Sequence, residues 1–248
     1  MFDSFPKTRP ELPSDFQRIY NEHYKNNREG KTTGAFLSQK MESWMHKKVA
    51  EDVKKDIKKS TLEIGAGSLN QIKYEKTEPY DIIEPFSELY ANSPYKTHIR
   101  HIYNDIEKIE FSNKYDRIIS IATFEHILDL PKVVAKTALL LKENGVLRVA
   151  FPNEGTILWK LSWKLTTGLE FKLKYGLDYE TLMRHEHVNT ANEIEKILYY
   201  FFKKRSCSCF GLGKTFTFYR FYECFEPDLE SAEKYLEKLC FRNILPDG

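Results

Sequence analysis

Apolar positions before residue 60 recur at helical spacing. In AFLSQKMESWMHKKVAEDVKKDI the residues Phe36, Leu37, Met41, Trp44, Met45 and Val49 follow a period close to that of a helix. FQRIYNEHY, from about Asp15, reads as a second helix, and Gly30 to Gly34 separate the two. Pro6, Pro10 and Pro13 make the chain before them an irregular arm. After residue 60 the rhythm shortens. TLEIG, YDIIEP (80–85), YDRIISIA (115–122) and GVLRVAFP (145–152) are short apolar or β-branched runs with helix-compatible stretches between several of them. This alternation predicts an α/β fold, a doubly wound and mostly parallel sheet with helices on both faces. PKVVAKTALLLKENG (131–145) predicts a helix with Pro131 at its start and Asn144-Gly145 at its end.

Residues 153–190 break the alternation. ILWKLSWKLTTGLEFKLKYGLDY mixes aromatic, aliphatic and lysine positions, as expected of an inserted lid over a pocket. ANEIEKILYYFFKK then reads as a helix, SCSCFGLG and TFTFYRFYECF as a closing antiparallel strand or hairpin, and PDLESAEKYLEKLCF as a terminal helix. The chain divides into an N-terminal helical cap (1–59), a ligand-binding core (60–152), a lid forming an acceptor pocket (153–190) and a completion of the core fold (191–248).

Composition narrows the function. Hydrophobic residues make up 41% of the 248, enough for a packed core. The 38 basic and 36 acidic residues nearly cancel, which argues against a dedicated nucleic-acid binder. MFDSFPKTRPELPSDF lacks the layout of a signal peptide, and no apolar run approaches a membrane span, so a cytoplasmic protein is expected. Cys207, Cys209, Cys224 and Cys240 are few, and Cys207-x-Cys209 lacks the two-residue spacer of common zinc or redox motifs. They are expected to be reduced packing residues.

The chemistry starts at STLEIGAGSLN (60–70). Glycines directly after a strand let the backbone adopt φ > 0 and let a ligand come close. In an open parallel sheet this turn is the floor of the ligand site. A dinucleotide site wants a third glycine where this chain has Asn70, and a phosphate is poorly placed beside Glu63. A cationic group, sulfonium or amino, suits Glu63 better. Glu84 ends the next strand about 20 residues beyond Gly65, the spacing of a carboxylate that holds ribose hydroxyls. Asp105, in YNDIEKIEF, follows a further apolar run and suits an adenine amino group. Three acids after successive apolar segments fit a ligand made of an amino acid, a ribose and an adenine.

Over roughly residues 60–152 the chain resembles the class I S-adenosylmethionine-dependent methyltransferases, small-molecule branch. LEIGAGS resembles their E/D-x-G-x-G motif, IIEP their ribose-binding acid motif, and NDIEKI their adenine-contacting segment. KYDRIISIATFEHILDLPKVVAKTALLLKENGVLRVAFPN resembles the later blocks, with Glu125-His126-Ile127-Leu128-Asp129 as the E-H-x-x-D stretch. The resemblance implies S-adenosylmethionine as cofactor, with S-adenosylhomocysteine as product. It implies cofactor contacts from Glu63, Gly65, Ala66, Gly67, Glu84, Pro85, Asp105, Ile106, Thr123 and Phe124. Read without the resemblance, Phe124 is a core residue and Glu125 and His126 are helix-start residues.

Three histidines are the candidates for handling the acceptor's proton. In LMRHEHVN, His185 and His187 would share one face of a strand, and His126 follows Glu125 beside the cofactor segment. Imidazole suits proton removal from an acceptor near neutral pH. The same residues also suit a hydrogen-bonded loop. As metal ligands, H-x-H with one Glu is a partial set, and no metal is expected. Trp159, Trp163, Phe171 and Tyr175 of the lid, with Tyr24, Trp44 and Met45 opposite, would enclose a small acceptor. A sugar or nucleotide-linked sugar suits such walls. An NAD-dependent oxidoreductase, a non-catalytic cofactor-binding partner and an RNA or protein methyltransferase are the competing classes. IATFEH stands where many amino-nitrogen enzymes carry an Asn/Asp-Pro-Pro-Tyr motif.

Overall fold

The computed structural model describes residues 2–17, 19, 35–54, 57–165 and 167–244. Tyr24, the Gly30–Gly34 break and the FQRIYNEHY helix beyond its first turn lie outside them. Helix α1 (Ala35–Val49) precedes strands β1 (Thr61–Ile64), β2 (Tyr80–Ile83), β3 (His101–Tyr103) and β4 (Tyr115–Ile121). Helix α2 (Leu130–Leu140) leads into β5 (Leu141–Pro152). Three short helices follow, α3 (Ile157–Leu165), α4 (Thr167–Tyr175) and α5 (Tyr179–Glu186). The chain ends with α6 (Ala191–Phe201), β6 (Phe202–Leu212), β7 (Phe216–Pro227) and α7 (Leu229–Ile244).

The strands form one seven-stranded sheet in the order β3-β2-β1-β4-β5-β7-β6. The first five are mutually parallel, and β7 runs antiparallel to both β5 and β6. The order reverses between β1 and β4, so the crevice beyond their carboxyl ends is the topological switch point. A polar hollow of about 420 Å³, lined by Ser60, Pro79, Arg100 and Asp116 among others, lies at the opposite, amino ends of these strands.

The expected doubly wound sheet is present, with two local differences. Short 3-10 turns and irregular chain, not long helices, make up the β1–β2 and β2–β3 connections. The helix expected over 131–145 ends at Leu140, because Leu141 already pairs with Tyr115 of β4. Both faces of the sheet are apolar and covered. On one face Leu62, Ile64, Ile118, Leu147 and Val149 meet Val134 and Ala138 of α2, Ile194 and Leu198 of α6 and Ala232 of α7. On the other, Ile82, Ile119 and Ala150 meet Met45 and Val49 of α1. Met45 is therefore core, and the Trp44 ring lies tilted against Phe210 of β6, 5.5 Å between centroids.

Two buried arginines fasten α1 to the sheet. Arg117 donates to the Val49 carbonyl at 3.0 Å and pairs with Glu75 and Asp52. Arg148 donates to the carbonyls of Val49 at 2.8 Å and Lys48 at 2.6 Å. They satisfy acceptors that the last turn of a helix leaves open.

The 153–190 segment is helical and carries its own small core. Trp159, Trp163, Phe171, Tyr179 and Leu182 pack with Leu12 and Phe16 of the N-terminal arm. Most of the aromatic positions expected to face an acceptor thus hold the lid to the arm instead. Ile157, Leu161, Leu165, Leu169 and Leu173 are exposed. Among the described residues, no helix is long and apolar enough to cross a membrane.

Candidate active site

The glycine turn follows β1 at the switch point. Gly65 takes φ +74° and Gly67 φ +52°, and the Gly65 N–H donates to the Ile83 carbonyl at 2.9 Å. A Cβ at Gly65 would stand 2.4 Å from both Cγ2 and Oγ1 of Thr123. Glycine is required here because Thr123 already fills the space a side chain would need, a reason the sequence reading did not supply. Gly65→Ala combines left-handed backbone strain with overpacking, and about 2–4 kcal/mol of stability should be lost. Urea unfolding midpoints check this, and a variant as stable as wild type contradicts the packing.

Glu84 directly follows β2 and joins the walls of this crevice. Its Oε2 accepts from the Gly67 N–H at 2.8 Å and its Oε1 from the Phe86 N–H at 3.1 Å. Pro85 is exposed, and so is Phe86 after it, at 53%. The sequence reading stopped at Pro85. The signal for Phe86 was a large aromatic on a loop directly after the acid. Asp105 is exposed at the end of β3, and its Oδ1 accepts from Glu107 N–H at 2.8 Å, capping the turn Ile106–Lys108.

Three expected contacts change character. Phe124 is completely buried in the main core, so its side chain has no face toward a ligand, and only its backbone is left for that part. The Ile106 side chain is likewise in the core. Glu63 is 3% exposed and accepts from the Tyr80 hydroxyl at 2.8 Å. Burial pushes its carboxyl up to about 8, the Tyr80 hydrogen bond only partly offsetting this, so Glu63 is mostly protonated at pH 7. A neutral Glu63 does not supply the negative charge on which its expected role rested.

The histidines lie across a loop from the glycine turn. Ala122, with φ 49°, turns the chain out of β4, and Thr123 then covers Gly65. Glu125 and His126 follow in a 3-10 turn. The 186–190 segment wraps around them. Val188 and Asn189 N–H groups donate to the Glu125 carbonyl at 2.9 and 3.0 Å. The Asn189 amide donates to the carbonyls of Phe124 at 2.8 Å and Ile127 at 2.7 Å. A capping box between Thr190 and Glu193 starts α6 at once and fixes the end of this segment.

His185 and His187 do not share a strand face. His185 belongs to α5 and His187 is its C-cap, so a helical turn of about 100° per residue sends them apart. His185 Nδ1 meets the Pro10 carbonyl at 2.7 Å, against the arm. His187 is tied by Nδ1 to Glu154 Oε2 at 2.7 Å, and its ring stands edge-on to His126, 4.9 Å between centroids. His126 Nδ1 contacts the Glu186 carbonyl at 2.9 Å, and its Nε2 lies 3.8 Å from Glu125 Oε1. Arg9 locks the arrangement, donating to the carbonyls of His126 at 2.9 Å, His185 at 2.8 Å and Glu186 at 3.1 Å.

Charge in this group is unusual. Glu125 is 1% exposed, and its Oε2 has no hydrogen-bond partner among the described residues. Burial raises its carboxyl to about 7, against the opposing pull of His187. Burial also disfavours charge on His187, but the Glu154 hydrogen bond and the Glu125 charge outweigh it, so its pKa rises. Glu154 is lowered despite burial, by the same His187 bond. An ionised Glu154 only accepts, so Nδ1 of His187 is its N–H donor and Nε2 is left as the basic nitrogen. Glu154, Asn189 and Arg9 were missed in the sequence. Glu154 had a signal, an acid just past a strand, the same that marked Glu84. Arg9 sits in a proline-rich arm and had none.

No family model matches the chain, and no curated protein matches it by sequence. Solved structures do match in fold. The plantazolicin methyltransferase BpumL, in complex with a pentazolic desmethylPZN analog and SAH, aligns at a TM-score of 0.57 and 14% identity, over 86% of this chain and 91% of that one. Haemonchus contortus phosphoethanolamine N-methyltransferase 2, in complex with S-adenosyl-L-methionine, aligns at 0.52 and 12% identity, over 75% of this chain and 53% of that one. Coclaurine N-methyltransferase aligns at 19% identity over 44% of this chain, with a TM-score of 0.37, a match too partial to carry an argument. This chain spans 35% of that protein. The sheet order and the first two likenesses establish a Rossmann-like methyltransferase fold.

Proposed function

We propose that the chain is an S-adenosylmethionine-dependent methyltransferase acting on an oxygen or nitrogen of a small acceptor. The observation that carries this reading is the Glu84 carboxylate bonded to the Gly67 N–H, beside the glycine turn at the switch point of a methyltransferase fold. The residues fit such a ligand. Gly65, Ala66 and Gly67 offer backbone to the methionine part, with Glu63 behind them. Glu84 and Pro85 line the ribose, and the exposed Phe86 ring offers a stacking face for adenine, with Asp105 and the Ile106 backbone at its edge. Thr123 and the Phe124 backbone border the reacting end.

When bound, the cofactor supplies a sulfonium methyl group: the acceptor heteroatom bonds to that carbon while the C–S electron pair stays on sulfur. The chain's part is alignment, exclusion of water and removal of the acceptor's proton. His187 is the proton-accepting group, oriented by Glu154 as a carboxylate orients a catalytic imidazole. His126 and Glu125 complete the polar wall. His185 leaves the catalytic group and serves to dock the arm. The acceptor lies between the N-terminal helices and the 153–190 lid, and a sugar or nucleotide-linked sugar suits the hydrogen-bonding capacity of the His126–His187 wall. A cytoplasmic setting belongs to the same proposal and is supported by four free cysteines.

Calorimetric titration with S-adenosylhomocysteine and with NADH, followed by transfer of a labelled methyl group to a panel of sugars, nucleotide-sugars and amines, tests the reading. NADH binding without S-adenosylhomocysteine binding overturns it. Glu84→Ala should weaken S-adenosylhomocysteine binding by about 1–3 kcal/mol through loss of a charged hydrogen bond. Unchanged affinity removes Glu84 from the ribose site.

A further inference from the structure

Glu125 Oε2 is a buried carboxylate oxygen without a hydrogen bond among the described residues, a costly arrangement unless something else occupies that position. Two imidazoles converge on the same carboxylate, His126 Nε2 standing 3.8 Å from its Oε1. One nitrogen each of His126 and His187 and one carboxylate oxygen of Glu125 lie within 4.8 Å of one another. The rings are held from behind. His187 Nδ1 is bonded to the Glu154 carboxylate at 2.7 Å, and His126 Nδ1 contacts the Glu186 carbonyl at 2.9 Å. Metal-ligating histidines almost always donate their second nitrogen to such a carboxylate or carbonyl. The sequence reading saw only H-x-H, a partial ligand set. The fold discards His185 and adds Glu125 and His126 from the loop after β4.

We propose that Glu125, His126 and His187 bind one divalent transition-metal ion. A two-histidine, one-carboxylate set leaves further coordination positions open and is at home with Zn²⁺, Fe²⁺ or Mn²⁺, whereas Mg²⁺ prefers an all-oxygen shell. Ligand atoms around such an ion stand about 3–3.5 Å apart, which side-chain rotation of an ångström or so supplies. The site stands on this geometry alone. That its open positions face the acceptor rests on the methyltransferase reading. In that setting the ion changes the part of His187, whose Nε2 holds metal instead of a proton. Held by Glu125, His126 and His187, the ion would supply Lewis acidity at this wall and make an acceptor hydroxyl there more acidic.

The test uses the full chain, stripped with chelator and titrated separately with Zn²⁺, Mn²⁺ and Mg²⁺, with bound metal counted by mass spectrometry. Wild type should take up about one equivalent of Zn²⁺ or Mn²⁺ more tightly than Mg²⁺. Glu125→Gln and His187→Ala should each weaken that binding about 100-fold or more. Glu154→Gln, behind the ligand, should cost about 10–100-fold. His185→Ala, outside the cluster, should bind as wild type does. Circular dichroism confirms that each variant is folded. Wild type without tight metal, Glu125→Gln binding as wild type, or His185→Ala losing the metal as His187→Ala does each overturns the site. S-adenosylhomocysteine titrated into the same samples reads the cofactor separately, so either proposal can fail without the other.

Discussion

Glu63→Gln should remove most of a fall in stability between pH 5 and pH 8.5. In the folded protein burial holds the Glu63 proton up to about pH 8, whereas the ordinary carboxyl value is 4.5. Between those values the native state binds more protons than the unfolded state, so stability falls as pH rises. At about 1.4 kcal/mol per pH unit, the full interval is worth on the order of 5 kcal/mol. Glu125, raised to about 7 by burial, adds to the fall in the same direction and over a narrower range. Gln keeps an acceptor for the Tyr80 hydroxyl, which now bonds to Glu63 at 2.8 Å, and has no proton to lose. Near pH 5 the two proteins should be about equally stable. At pH 8.5 the variant should be more stable by roughly 3–5 kcal/mol. Urea unfolding at both values measures this, and parallel pH profiles for the two proteins show that Glu63 is not the buried titrating group.

His187→Ala should lower turnover by about 100- to 10,000-fold while leaving S-adenosylhomocysteine affinity nearly unchanged. Whether Nε2 takes the acceptor's proton or holds an ion that acidifies the acceptor, the loss falls on the chemical step. Glu154 adds a readout that a merely structural pair would not give. In metal-free protein, His187 should titrate above its ordinary 6.5, because the Glu154 hydrogen bond and the Glu125 charge outweigh burial. In Glu154→Gln, burial then meets less opposition, and the His187 titration should move down. Nuclear magnetic resonance of the imidazole follows both. If His187→Ala weakens S-adenosylhomocysteine binding while turnover per bound enzyme is kept, His187 belongs to the cofactor site.

The parts of the fold legible in the sequence were those fixed by local pattern. Short apolar runs marked four of the five parallel strands, the brief β3 showing only as a further apolar run before Asp105, and their spacing marked the switch point after LEIGAG. The closing hairpin showed in SCSCFGLG followed by the aromatic run TFTFYRFYECF. Element ends were less legible, since Leu141 is a good helix residue drawn into β5 by Tyr115 across the sheet. Side-chain direction was the weakest reading. HEH has the spacing of a strand pair, but Asp178, capping the start of α5, helps to make the segment a helix that parts the two imidazoles. Trp159, Trp163 and Phe171 were visible as an apolar group, but only the fold shows that Leu12 and Phe16 of the arm cover them. Glu63 shows how context decides charge. Its position beside the glycines was plain, while its protonation depends on Tyr80 and the helix packed over the sheet.

Isothermal titration of the folded protein with S-adenosylhomocysteine tests the central claim most directly. The account predicts saturable binding at one site per chain, weakened in Glu84→Ala and little affected in His185→Ala. A wild-type protein with native circular dichroism and no binding heat or thermal shift with this nucleoside contradicts it.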